Sequence, residues 1–434
     1  MIKSIYSILL VQLLFYGAIC EHLFGITALN VKESESAKYL PLFIEINVIV
    51  AFLHIFRKRL TLYPKECNYI LLYFAWCLLS GIYNEGSIVS AIKYSRYSLY
   101  AIMIYISACN EYFDIKDMLN FKKYAVYLFF LQIIASLVYI FLLGERFEWR
   151  VGTMAISGGE LATVFPLIAM GYVMGTYFCK DKKFAYILAS FAFGIVGFSS
   201  GKRAIYFVMP VFFLLSYGIY FLIERCAANR NKLIVYVPEL VVAILLLVPI
   251  VAFGISKSEY ISKQDSSPIG DVFTHAIQSA IVYETAERDS GVLVGRTSAT
   301  TKIFSASMDP FSPSFYIGNG PSIVMGTANS FDELNIEYGI VGFTRDIVSI
   351  GWIGAILFIV AYMKILIRMF RVYSTFVFSA DLRAIAYGTF FGFVVLLYTH
   401  VFYGSVFSIA GTLGFLLMFC AGTLLRFERK IQAV

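Results

Sequence analysis

The sequence predicts an all-α polytopic membrane protein of about twelve transmembrane helices, with one large loop on one face. Three observations predict it. First, the 434-residue chain is 59% hydrophobic and 15% charged, with a mean hydropathy of +0.77. A soluble domain is about a quarter charged. This chain lacks the polar surface to cover a globule, which excludes a soluble enzyme, a disordered scaffold and a disulfide-framed secreted domain. Second, apolar runs approaching the about 20 residues that a bilayer-crossing helix needs recur along the chain. Third, lysine and arginine gather at alternate links between those runs, as they do on the cytoplasmic side of membrane proteins. The 41 Phe and 31 Tyr suit a lipid-facing surface and its interfacial belts. The formal charge of +7 follows from the basic links and calls for no nucleic acid.

The first run, 4–20, has a short basic start, but no small-residue cleavage site comes after it. It therefore reads as a span and not as a signal peptide. Further runs lie at 39–56, 69–83, 93–109, 123–143, 159–178, 184–199, 204–223 and 235–255. After a long polar interval, runs at 346–366, 384–402 and 405–425 close the chain. The organisation is thus 1–255 with nine spans, 256–345 as the loop, and 346–434 with three spans and a short tail. One face carries Arg57-Lys58-Arg59 with Lys65, Lys122-Lys123, Lys180, Lys182 and Lys183. The same face takes Arg225, Arg230, Lys232, Arg368, Arg371, Arg383, Arg426, Arg429 and Lys430. With that face inside, both termini lie inside, which requires an even number of spans.

Cys20, Cys67, Cys77, Cys109, Cys179, Cys226 and Cys420 fall in or beside apolar runs, without a CxxC or Cys/His cluster. The sequence therefore gives no expectation of a metal or a disulfide framework. His22 and His400 sit near the outer membrane edge, His54 near the inner edge and His275 in the loop, and no pair has metal-ligand spacing.

The loop from Ser256 to Arg345 is about ninety residues long. Long loops in compact proteins are usually functional. Asp271 to Thr285 reads as a short amphipathic helix and Thr297 to Ala306 as another, with Pro310, Pro313 and Pro321 breaking the stretch beyond it. Basic residues on this outer face go against the charge rule. Lys93, Arg96 and Arg146 lie near it; Arg150 lies between the fifth and sixth runs, Lys202 and Arg203 on the turn between the seventh and eighth, and Arg296 within the loop. A cation held there often has a partner. Phospholipid headgroups are one candidate. A diphosphate, which arginine grips with two parallel hydrogen bonds, is the other.

Four stretches carry a family resemblance: Arg150-Val-Gly-Thr-Met-Ala-Ile-Ser-Gly-Gly-Glu-Leu-Ala162, Phe198-Ser-Ser-Gly-Lys-Arg-Ala204, Gly295-Arg296 with the later Pro313, Phe315, Gly318 and Gly320, and Asn329 through Glu337-Tyr-Gly-Ile-Val-Gly342. In their order and shared side they resemble the bacterial O-antigen polymerase and O-antigen ligase superfamily, the Wzy and WaaL types. The family pattern places His before the Asn of the last block, where this chain has Ala328; that departure favours polymerase over ligase.

The resemblance implies a membrane-embedded, GT-C-like glycosyltransferase that needs neither metal nor cofactor. It implies the bacterial inner membrane, with cytoplasmic termini and a periplasmic loop. The reaction would join undecaprenyl-diphosphate-linked oligosaccharide repeat units, donor to acceptor. Its partners would be those lipids, the surrounding membrane lipids and a chain-length regulator protein. Arg150, Lys202, Arg203 and Arg296 would bind the diphosphate, and Gly318, Gly320 and Asn329 would shape the loop. Asp332, Glu333 and Glu337 are the nearest carboxylates for a general base, with Glu160 as an outside alternative. Their competing roles are loop-fixing for Glu337 and solvated surface for Asp332 and Glu333.

The expected geometry is a roof. The loop folds over the Arg150 and Arg203 turns and brings Arg296 to the diphosphate. The rival classes are a ligase, a flippase or other transporter of lipid-linked sugars, and a non-catalytic scaffold. A transporter places charges near the membrane midplane, whereas these runs are nearly free of charge away from their ends.

Overall fold

A computed structural model describes residues 10–11, 14–16, 18–19, 35–57, 62–111, 113–142, 151–154, 159–199, 204–226, 295–324, 331–336, 339–376, 379–402 and 411–432. These residues are mostly helical, and none forms a named strand. The helices are α1 (Glu35–Arg57), α2 (Cys67–Glu85), α3 (Ile88–Asn110), α4 (Ile115–Phe141), α5 (Gly159–Cys179), α6 (Phe184–Ala192), α7 (Gly194–Ser199) and α8 (Ala204–Cys226). The loop contributes α9 (Arg296–Ala306) and α10 (Pro313–Ile317), and α11 (Gly342–Thr375), α12 (Ala380–Phe402) and α13 (Gly411–Gln432) complete the chain.

Among the described residues, four helical stretches are long and apolar enough to cross a bilayer: Ile115–Tyr139, Leu161–Cys179, Gly342–Thr375 and Ala380–Phe402. The class is thus an all-α membrane protein. α1, α2, α3, α8 and α13 coincide with expected runs. The runs at 235–255 and most of 4–20, and the helix expected at 271–285, lie outside the described residues.

Two expected single spans differ from the sequence reading. The run at 184–199 is two helices, α6 and α7, parted at Phe193. α7 is wedged tightly, since a Cβ at Gly197 would come within 2.8 Å of both Ala162 O and Ile205 Cγ1. The run at 346–366 is part of α11, which extends to 34 residues and is broken at Gly351 (φ 75°, ψ 176°).

The centre of the bundle is α5, 94% of whose apolar window is buried. It lies against α12 with backbones in close approach. A Cβ at Gly175 would fall 2.5 Å from Ala384 O, and one at Gly388 2.6 Å from Tyr172 Cδ1. Small residues at such crossings let membrane helices pack by dispersion, which matters where no hydrophobic effect drives them together. Aromatics fill the space beside the crossing: Phe178 stacks on Tyr220 at 4.4 Å and meets Tyr387 edge-on at 5.4 Å.

The two ends of the bundle differ. At one end the basic links find carboxylates. Arg368 pairs with Glu66 (3.4 Å) and with Glu428, Arg383 pairs with Glu224, and Lys180 meets Asp381 at 2.8 Å. Arg426 donates to Glu111 O. The described part of the 256–345 segment packs at the opposite end, over the first turns of α11. There Ala299, Ile303, Val324, Phe331, Ile336 and Ile340 form a small core with Ile347, Val348 and Ala355.

Candidate functional site

The site grows from the break in α11. A helix interrupted at Gly351 leaves carbonyls without their usual amide partners, and at membrane depth those groups must be satisfied inside the protein. Here the loop does it. Asn319 N donates to Val348 O (2.8 Å) and Gly320 N to Ser349 O (3.0 Å). Trp76 Nε1 donates to Ile350 O (2.9 Å), and Ser80 Oγ reaches Ser349 O (3.1 Å) and Ile317 O (2.7 Å). The loop turn is therefore hydrogen-bonded into the bundle. Only glycine fits at the contact: Gly318 has φ 78°, and a Cβ on Gly351 would lie 2.2 Å from Tyr316 O.

Gly320 (φ 116°) faces Glu85 at the end of α2, whose Oε1 accepts from Ser322 N at 2.7 Å. Burial pushes the Glu85 carboxyl up, but hydrogen bonds from Ser90 and Ser322 outweigh it and hold the group below its ordinary value.

One turn before the break lies a buried ionisable group. Asp346 Oδ1 accepts from the Tyr94 hydroxyl at 2.5 Å. Asp346 Oδ2 stands 3.4 Å from His400 Nε2, with side-chain exposures of 2% and 1%. That contact is within ion-pair reach but is not aligned as a hydrogen bond: Asp346 Oδ2 and both ring nitrogens of His400 have no hydrogen-bond partner among the described residues. The ring stacks on Phe358 at 4.1 Å, and the Arg345 guanidinium lies 5.5 Å from the centre of the Tyr94 ring. Three helices, α3, α11 and α12, thus bring a carboxylate, an imidazole and a phenol together beneath the loop. Such a group can hold and pass a proton.

Of the other site residues expected from sequence, Arg296 is the first residue of α9, beside the segment that enters α11; a Cβ at Gly339 would be 3.1 Å from Arg296 N. Asp332 and Glu333 are exposed on a 3₁₀ turn closed by the Phe331–Ile336 bridge. Arg150, Lys202, Arg203, Asn329 and Glu337 lie outside the described residues, so the meeting of the three arginines is not part of this geometry.

The residues directly after Arg150 are described, and they enter the bundle. Val151 and Met154 are buried, and the Gln132 side chain accepts from Thr153 N (2.8 Å) and Thr153 Oγ1 (2.9 Å). Gln132 lies nine residues before the end of α4, or about 13 Å along it.

Phe315 packs on Trp352 and Tyr316, whereas Phe311 stands 94% exposed at the loop's tip. Among the described residues no group of three or more His, Cys, Asp or Glu could hold a metal.

Sequence reasoning missed the Asp346–His400 pair and the α11 break. The sequence signal for the pair was an acid at the start of an otherwise apolar run and a histidine in the last turn of another. Their separation along the chain hid the pairing. The structure also qualifies the charge-free reading of the runs, because Glu45 of α1 and Arg96 of α3 lie 3.6 Å apart, with Glu45 buried. No family model matches the chain, and no curated protein matches it.

Proposed function

We propose that this protein is a metal-independent membrane glycosyltransferase that polymerises undecaprenyl-diphosphate-linked oligosaccharide units at the outer face of the bacterial inner membrane, as an O-antigen polymerase does. The observation that carries the reading is the loop hydrogen-bonded into a broken helix directly above a buried Asp346–His400–Tyr94 group. That arrangement fits chemistry at the membrane edge, where two lipid-anchored sugars would meet. The four sequence stretches that resemble the polymerase and ligase superfamily add the substrate class.

In this reading the acceptor hydroxyl oxygen attacks the anomeric carbon of the donor. The bond from that carbon to the diphosphate breaks, and undecaprenyl diphosphate leaves with the electron pair. The leaving group departs as an anion and needs stabilising charge more than an acid. Arg296, with Arg150, Lys202 and Arg203, supplies it. The hydroxyl proton goes to a base. The candidates are the Asp332, Glu333 and Glu337 carboxylates and the Asp346–His400 pair.

One observation favours a second reading, a transporter of lipid-linked oligosaccharides. A broken helix beside a buried acid–histidine pair is also how proton-coupled carriers build their sites. The glycan phenotype of a deletion strain separates the two readings. Single repeat units left on the lipid anchor support the polymerase, polymer retained on undecaprenyl diphosphate supports a ligase, and no exported repeat supports a transporter. Unchanged surface glycan would overturn all three.

A further inference from the structure

Part of the loop lies alongside the helices at its end of the bundle. Ser80 Oγ donates to Ile317 O (2.7 Å), and Ser322 N donates to Glu85 Oε1 (2.7 Å). The chain from Ile317 to Ser322 thus climbs the last stretch of α2, from Ser80 to Glu85, which is about 8 Å of helix. At that height α2 turns Leu79, Ile82 and Tyr83 outward, and α3 begins with exposed Ile88 and Val89. In a membrane protein an outward apolar face of this kind is covered by lipid. The lipid-facing surface therefore reaches nearly to the turn between α2 and α3, and Ile317 lies below that level.

The loop also covers a stripe that faces lipid. Beyond its break, α11 exposes Ile356, Met363 and Ile367 along one side. Trp352 continues that stripe one turn toward the loop. There Phe304 and Phe315 close on its ring, at 5.6 and 6.2 Å, and its Nε1 donates to Ser307 O at 2.8 Å. The side chains that this part of the loop turns outward are again apolar: Met308, Phe311 and Tyr316 are exposed.

The backbone of the tip suits a place beside hydrocarbon, where polar groups must be satisfied within the protein. Pro310 and Pro313 have no N–H to satisfy. Phe311 N donates to Asp309 Oδ1 (3.0 Å), Ser312 N to Asp309 O (3.1 Å) and Phe315 N to Ser312 O (3.1 Å). Asp309 itself is exposed. A carboxylate stays with water and headgroups, so it limits how deep the tip can go.

We propose that the loop tip around Phe311 is an interfacial anchor, seated in the leaflet at the loop end of the bundle, with the Phe311 ring among the upper acyl chains and Asp309 at the headgroups. Its occupant is lipid because the tip continues the lipid-facing stripe of α11 and lies beside the apolar end of α2. Aromatic side chains on either side of that boundary hold membrane proteins at a fixed depth. The inference does not depend on the enzymatic reading.

The test is spin labelling of the full-length protein in liposomes of phosphatidylethanolamine and phosphatidylglycerol, with Cys20, Cys179 and Cys226 replaced. A nitroxide is placed by Phe311→Cys, by Leu79→Cys as the lipid-facing reference and by Ser305→Cys as the water-facing one. Both Phe311 and Ser305 are exposed, so their labels do not enter the core. Power saturation then compares collisions with oxygen, which concentrates in the bilayer, and with a water-soluble nickel complex. The ratio of oxygen to nickel collisions at Phe311→Cys should exceed that at Ser305→Cys several-fold and approach that at Leu79→Cys. A ratio equal to that at Ser305→Cys would put the tip in water and overturn the anchor. Low collision rates with both reagents would mean that protein, from this chain or a second copy, covers Phe311, and would overturn it equally.

Discussion

Asp346 and His400, fifty-four positions apart in sequence, face each other across 3.4 Å in the interior of the bundle, with Tyr94 bonded to the same carboxylate. Truncating Asp346 to Ala leaves the buried Tyr94 hydroxyl without its acceptor, which costs about 1–3 kcal/mol. Asp346→Ala is therefore expected to lower the yield of folded protein. Asp346→Asn keeps the shape and an oxygen for Tyr94 while removing the charge. It should fold at near wild-type level, by thermal melting in detergent, and yet shorten or abolish polymer in a complemented deletion strain. Wild-type polymer from a folded Asp346→Asn protein would remove the pair from the mechanism.

The docking of the loop into α11 predicts a contrast between glycines. Gly351→Ala places a methyl 2.2 Å from Tyr316 O at φ 75°, and Gly318→Ala places one 2.5 Å from Ile350 N at φ 78°. Each should lose more than the about 1–3 kcal/mol of a strained backbone conformation, because neighbouring backbone must also move. Gly86 has φ 60° but nothing within 4 Å of an added Cβ. Gly86→Ala should cost only about 1–2 kcal/mol. Melting temperatures in one detergent rank the three, and a Gly351→Ala protein as stable as Gly86→Ala would show that the contact does not constrain the fold.

The class and most helix positions were legible in the sequence because lipid exposure is written as uninterrupted apolar runs. The α9 helix was also legible, at 297–306 against the observed Arg296–Ala306. The α11 break was not, because Gly351 sits in a run whose hydropathy is unaffected by one glycine. What breaks the helix there is Asn319, Gly320, Trp76 and Ser80, all distant in sequence, which satisfy the carbonyls that a continuous helix would have used. The Asp346–His400 pair was hidden for the same reason: a tertiary contact between the ends of two runs leaves no local pattern. Of the candidate site, sequence reasoning placed Gly318, Gly320, Arg296, Asp332 and Glu333 in the loop but missed the buried group beneath them.

The Glu85–Ser322 tie predicts a pH dependence. The Glu85 carboxyl is held below its ordinary 4.5, despite burial, by hydrogen bonds to its charged form. For a depressed acid, the stabilisation is fully present above the unfolded value and is lost as pH falls through the folded one. Hydrogen exchange at the Ser322 amide should therefore be slow and constant above the usual glutamate range, and should speed up as pH falls below it, after correction for intrinsic exchange rates. Glu85→Gln should remove this acid step. An unchanged step in that variant would assign it to another carboxylate.

The exposed carboxylates of the 3₁₀ turn separate the two candidate bases. Asp332 and Glu333 face solvent, so their alanine variants should shift stability by no more than about 0.5 kcal/mol. With the buried pair as base, both should also yield wild-type polymer lengths. Loss of polymer from a stable Asp332→Ala or Glu333→Ala protein would move the base from α11 to the loop.

The orientation of the bundle is set by its two ends. The basic residues gather at the end where α11 finishes, and the loop lies where α11 begins. Positive links remain on the cytoplasmic side because moving them across the membrane is unfavourable. Ser305 of α9 is exposed on the loop, and Ser374 is exposed at the last turn of α11. The native Cys67, Cys77, Cys109 and Cys420 are buried, and replacing the remaining cysteines gives a quiet background. In intact spheroplasts, an impermeant thiol reagent should label Ser305→Cys directly and Ser374→Cys only after permeabilisation. The reverse pattern would place the loop and the Asp346–His400 group at the cytoplasmic face. Lipid-linked donors exported to the outer leaflet could not reach them there, and the polymerase reading would fail together with the topology.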